Sequence, residues 1–65
     1  MKLSQCLGKR VKHTRRPPNN HIVAHGVLEK TRTGHYQIDR DDGGKSATFN
    51  GDTIECNGKN FIIKY

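Results

Sequence analysis

Four short runs of alternating residue character, GHYQID, KSATF, TIEC and NFIIKY, occupy residues 34–65 and are separated by RDDGG, NGD and NGK. Alternation with a period of two marks a half-buried strand, because successive side chains on a strand point to opposite faces. Tyr36 and Ile38 oppose Gln37 and Asp39, Ala47 and Phe49 oppose Ser46 and Thr48, and Ile54 and Cys56 share a face, as do Phe61, Ile63 and Tyr65. Asp and Gly in the intervening turns supply side-chain bonds to the backbone and positive φ. Two of these turns carry Asn-Gly, which tolerates the left-handed angles of a type I′ hairpin. The second half therefore reads as a β-meander with every Asn-Gly a hairpin.

The first half reads as strand too. KRVKHTR and HIVAHGVLEKT are rich in β-branched residues and show no stripe of helical period. RTG before HYQID is a further hairpin loop, and RPPNN interrupts the first two strands because proline cannot donate to a ladder. Residues 1–7 are expected as a single helical turn, SQCL capped by Ser4 and ended by Gly8, or as a frayed N-terminus. Residues 15–21 are expected as a mobile loop. The apolar fraction of 31 % falls below the globular average of roughly 45–50 %. So small a core is best enclosed by curling the sheet, with Val11, Ile22, Val27 or Leu28, Tyr36, Ile38, Phe49, Ile54, Phe61 and Ile63 inside.

In strand order the chain resembles the SH3-like small barrels, the group containing KOW-type modules. The matching stretches are GKRVKH as an opening strand, AHGVLEK as a G-x-apolar second strand, and the hairpins ending in NFIIKY, within residues 7–65. The resemblance implies one all-β domain over residues 1–65, a small five-stranded barrel built from tight hairpins.

Charge is segregated. Residues 1–35 carry eight Lys or Arg against Glu29 alone, while residues 36–65 carry four against five acids, to a formal net +6. A basic surface on one part of a fold points to an anionic partner. Within the first strand Val11 must face the core, which sends Arg10, Lys12 and Arg16 outward with Thr14 at spacings of about 6.6 Å. Lys9, Val11, His13 and Arg15 take the other face. The outward stripe suits a phosphate backbone, and Asn19, Asn20 and His21 at the proline loop extend it toward base edges or phosphates. Lys30 and Arg32 enlarge the patch from the neighbouring hairpin. The same lysines could serve only to protect a sheet edge from aggregation.

The four aromatic rings, Tyr36, Phe49, Phe61 and Tyr65, mostly fit core positions, which disfavours base stacking. The expected ligand is therefore duplex DNA or structured RNA, held by its backbone. A different class of partner is an acidic protein surface, bound by a small module or inhibitor of phage or mobile-element type through Val23 or Ile62. The protein is expected as a monomer or weak homodimer.

No catalytic arrangement can be argued from these spacings, so the chain reads as non-enzymatic, without cofactor. HIVAH supplies an H-x3-H pair, but on one strand His21 and His25 would lie about 13 Å apart, too far to share a metal ion. DRDDGG lacks the residue order of a calcium loop and reads as a solvated turn, set opposite the basic stripe. Cys6 and Cys56 are two buried thiols in a cytosolic protein, or a disulfide in an exported one. The opening MKLSQCLGKR has no apolar h-region and no run is long enough for a membrane span, so the expectation is a cytoplasmic protein.

Overall fold

Val11, Leu28, Ile38, Ile54 and Ile63, with the two cysteines, form the buried apolar cluster, and the strands that carry them set the fold. The computed structural model describes residues 2–65. A 3-10 turn over Leu3–Cys6 leads into six strands: β1 Arg10–Thr14, β2 Val23–Lys30, β3 Tyr36–Arg40, β4 Lys45–Ala47, β5 Thr53–Cys56 and β6 Lys59–Ile62. All neighbours are antiparallel, in the order β4-β3-β2-β1-β5-β6. The sheet is open, since no ladder joins β4 to β6, and it has one strand more than the five expected. No helix is long and apolar enough to cross a membrane among the described residues.

The chain nevertheless measures 27 × 27 × 26 Å. A flat sheet is about 10 Å deep, so near-equal extents require a strongly coiled one. Gly26 of β2 permits the coiling. It is buried and paired with both Val11 and Arg40, and a Cβ there would run into the carbonyl oxygen of Asp39. Beyond the ladders, Tyr65 links the two edges: its hydroxyl accepts from the Tyr36 N–H at 2.7 Å and meets the Thr48 hydroxyl, while its own N–H donates to Asn50 Oδ1 at 2.7 Å.

The turns divide into two kinds. Asn57 and Gly58 both have positive φ, +52° and +77°, and join β5 to β6 as the expected two-residue hairpin. Asn50-Gly51 is not a hairpin. It turns the chain from β4, at the sheet edge, across to β5 beside β1, and only Gly51 takes positive φ. The N-terminal turn follows Lys2 rather than Ser4, with the Lys2 N–H donating to Gln5 Oε1 at 2.8 Å.

The largest departure lies in KSATF. Ser46 and Thr48 point inward and are buried, while Ala47 and Phe49 point outward, the reverse of the expected facing. The register pairs Ser46 with Ile38, whose side chain is in the core, and this turns the hydroxyl inward. Polar residues are stable there because partners await them. Ser46 Oγ lies 3.3 Å from His13 Nδ1, and Thr48 donates to the Tyr36 carbonyl at 2.6 Å. Phe49 and Ile22, both expected in the core, are 52 % and 48 % exposed.

Candidate functional site

β1 ends at Thr14, and the next two residues are arginines whose positions are set by a buried acid. Asp52, at the end of the crossover from β4, accepts the Arg16 N–H at 2.9 Å on Oδ1 and the Phe49 N–H at 2.9 Å on Oδ2. The same Oδ2 lies 2.8 Å from His13 Nε2, and both side chains are 1 % exposed. Burial alone would raise the carboxyl pKa. The hydrogen bonds from His13, Phe49 and Arg16 outweigh it and hold Asp52 below the usual carboxylate range. Sequence reasoning set His13 on the core-facing side with Val11 but did not see its partner, which is 39 positions away.

On the other side of the ring, His13 Nδ1 faces the Ser46 hydroxyl at 3.3 Å. Ser46, His13 and Asp52 thus form a continuous buried chain in the order of a hydrolytic relay. Ser46 is 7 % exposed, and with His13 it lines an open depression of about 330 Å³ shared with Arg15, Ile22, His25 and Asp41 among others. The chain satisfies buried polar groups and ties β4, β1 and the crossover together.

Outside this staple the crossover presents Phe49. The Arg15 guanidinium lies over its ring, 5.1 Å from the centroid. Arg15, Arg16, Asn19, Phe49 and Asp52 surround one depression, and the Arg16 side chain packs beside Gly51. On the other side of Phe49 runs an open groove of about 450 Å³, lined by Tyr36, Thr48, Asn50, His35 and Tyr65 among others. Tyr65 is 50 % exposed and stands edge-on to His35, with centroids 4.5 Å apart. At the hairpin end Lys30 Nζ lies 5.6 Å from the Tyr36 centroid. The expectation that the rings belong mostly to the core is therefore corrected for Phe49, while Tyr65, the ring expected to be the most exposed, is half-exposed.

The basic stripe is only partly free. Arg10 grips Asp41 with two bonds of 2.8 and 2.7 Å, so the acidic turn folds onto the stripe instead of lying opposite it. This pairing holds Asp41 below, and Arg10 above, its ordinary pKa. Lys12 is exposed and borders a separate depression with Arg10, His25 and Glu55. Lys9 is exposed while its carbonyl accepts from Leu28 in β2. Asn20, His21 and Arg32 are exposed in their loops. Of the expected residues the structure brings together Arg15, Arg16 and Asn19, and it sets Lys30 over the Tyr36 ring of the aromatic groove. Among the described residues Arg15, Arg16, Lys30 and Arg32 make no salt bridge, whereas Lys45 meets both Glu29 and Asp39 and Arg40 meets Asp42.

The proline loop is pinned at its base, with the Arg15 N–H donating to Ile22 and the Asn19 N–H to Arg16. His21 falls within it, outside β2, so the strand spacing assumed for the H-x3-H pair does not apply. Among the described residues no group of three or more His, Cys, Asp or Glu converges as a metal site.

Comparison with protein-family models, with curated proteins and with solved structures finds no match for this chain.

Proposed function

We propose that this chain is a non-enzymatic nucleic-acid-binding module with the architecture of an SH3-like small barrel. The connectivity supports the fold reading: a four-strand meander, then a crossover that returns the chain to pair with β1. One observation carries the functional reading. Arg15 and Arg16, with no carboxylate partner, meet at the pinned end of β1 beside exposed Phe49, and the only acid there, Asp52, is buried and already bonded. Arg16 makes one long bond, 3.5 Å, to the Asn50 carbonyl, and guanidiniums without a carboxylate partner suit phosphate, which they can grip bidentately. Lys12, Lys30, Arg32 and Lys9 extend the field, with Asn19, Asn20 and His21 as further donors at the loop.

The test is a fluorescence-anisotropy titration of labelled nucleic acids at several salt concentrations. Engagement of several phosphates gives a log–log slope of roughly −3 to −5. Binding that ignores salt, or none at low salt, overturns the reading.

A second reading rests on the exposure of Ile62 (62 %) and Val23 (41 %). These fit a small module of phage or mobile-element type docking on an acidic protein. In that case binding persists at moderate salt and is lost in Val23→Ser or Ile62→Ser.

A further inference from the structure

We propose that the nucleic acid is bound single-stranded, with unpaired bases stacking on Phe49 and Tyr65 in the aromatic groove that Tyr36 also lines. This rests on the nucleic-acid reading above and adds what that reading leaves open, the form of the ligand. The chain has only four Phe, Tyr or Trp rings, and three of them line this one groove. A sequence short of apolar residues gains most by burying its rings, so half-exposed Phe49 and Tyr65 forgo core stabilisation. The fold holds them outward. Asp52 fixes the Phe49 backbone, and the Tyr65 hydroxyl is fastened to Tyr36 N–H and Thr48. Rings presented this way form a stacking surface prepared before the ligand arrives.

Charge selects the occupant. The groove wall contains no Asp or Glu. Arg15 and Lys30 lie over two of its rings, Phe49 and Tyr36. Arg16 and Lys64 continue past Tyr65 along the adjoining surface. Two acids adjoin the groove: Glu29, reached by Gln37, is bound by Lys45 at 2.7 Å, and Asp52, bonded to the Phe49 N–H, is buried against His13. A strand laid along this path sets phosphates against the cations while its bases meet the rings. Duplex bases are stacked on one another and cannot offer their faces to Phe49. Every base has a stackable face, so little sequence preference is expected.

The chain has no Trp and two Tyr, and both tyrosines line the groove. Their emission therefore reports on occupancy directly. Oligothymidine and a duplex of equal total charge are titrated into the protein at low and at moderate salt, following tyrosine emission and anisotropy. The expected result is quenching and tighter binding with oligothymidine. Phe49→Ala should lose roughly 5- to 150-fold in single-strand affinity, the cost of one stacked base, and lose less in duplex affinity, where only the Arg15 contact with the ring is removed. Phe49→Trp should retain binding, and circular dichroism checks that both variants fold. Equal or tighter duplex binding with unchanged tyrosine emission overturns the single-strand proposal and leaves the nucleic-acid reading standing. Tyrosine quenching by a proline-rich peptide but not by oligothymidine also overturns it. No salt-sensitive binding to either nucleic acid overturns both.

Discussion

At the scale of single residues, Gly26 and Asp52 carry more of the fold than their size suggests. Gly26 lies where β2 bends between two partners, and any side chain there meets the Asp39 backbone, which cannot step aside. Overpacking commonly costs about 1–3 kcal/mol even where side chains can yield, and a core this small supplies only about 3–5 kcal/mol in total. Gly26→Ala should therefore remove a large share of the stability, seen as a much lower urea midpoint. Asp52 acts through protonation. Its pKa is lowered in the folded state, so the stability it contributes is complete above the ordinary carboxylate value of about 3.9 and is lost as pH falls through the lower folded value. Urea midpoints should drop below about pH 4, and Asp52→Asn should be less stable at neutral pH with a flatter acid limb. Asp41 and Glu29 are also lowered, by Arg10 and by Lys45 with Gln37. These pairs are far more exposed than Asp52, so salt near 1 M screens them while leaving its contribution in place. An acid limb that vanishes in high salt would assign the effect to the surface pairs.

At the scale of elements, β1 shows how a basic strand divides its labour. Its first arginine pairs with the acidic turn, and the guanidiniums of Arg15 and Arg16, which form no salt bridge among the described residues, lie just past its end. Arg15→Glu with Arg16→Glu should abolish nucleic-acid binding with the melting temperature nearly unchanged, because the bond from residue 16 to Asp52 comes from the backbone. Arg10→Glu with Lys12→Glu should weaken binding less and lower the melting temperature, since residue 10 would then face Asp41. Comparable loss of binding in both double variants would restore the whole stripe as the interface. The same strand also shows what was legible. Local alternation around Val11 correctly placed Arg10 and Lys12 outward and His13 inward, and Asn57-Gly58 marked a hairpin that formed. KSATF has one alternation and two possible facings. Ala47 and Phe49 look like the core side until His13, distant in sequence, supplies the partner that draws Ser46 inward. Asn50-Gly51 misled for a related reason: a turn motif specifies a reversal, but which strand the chain then joins depends on β1 having an open edge. The groove followed from those two long-range choices, and no local signal announced it.

At the scale of the whole molecule, the sheet is open, with few buried apolar side chains and two edges linked only by the hydrogen bonds of Tyr65. Such a molecule should open as one unit, because no part retains enough buried surface to persist alone. Its two thiols test this. Cys6 lies in the N-terminal turn and Cys56 at the end of β5, and both are buried in the same cluster. Burial, followed by contact with Cys56, raises the Cys6 pKa, so little thiolate is present at neutral pH and reagent must wait for opening. Under an excess of disulfide reagent at pH 8, both cysteines should therefore label at one rate. That rate should steepen with urea as the global unfolding constant does. If Cys6 reacts first with a shallow urea dependence, the N-terminal turn is a separate lid over the core. The cooperative unit would then begin at β1, and Cys6→Ala would leave the urea midpoint almost where it was. If the rates coincide, Cys6→Ala should instead lower the midpoint, since its thiol fills the same small core as Ile38 and Leu28.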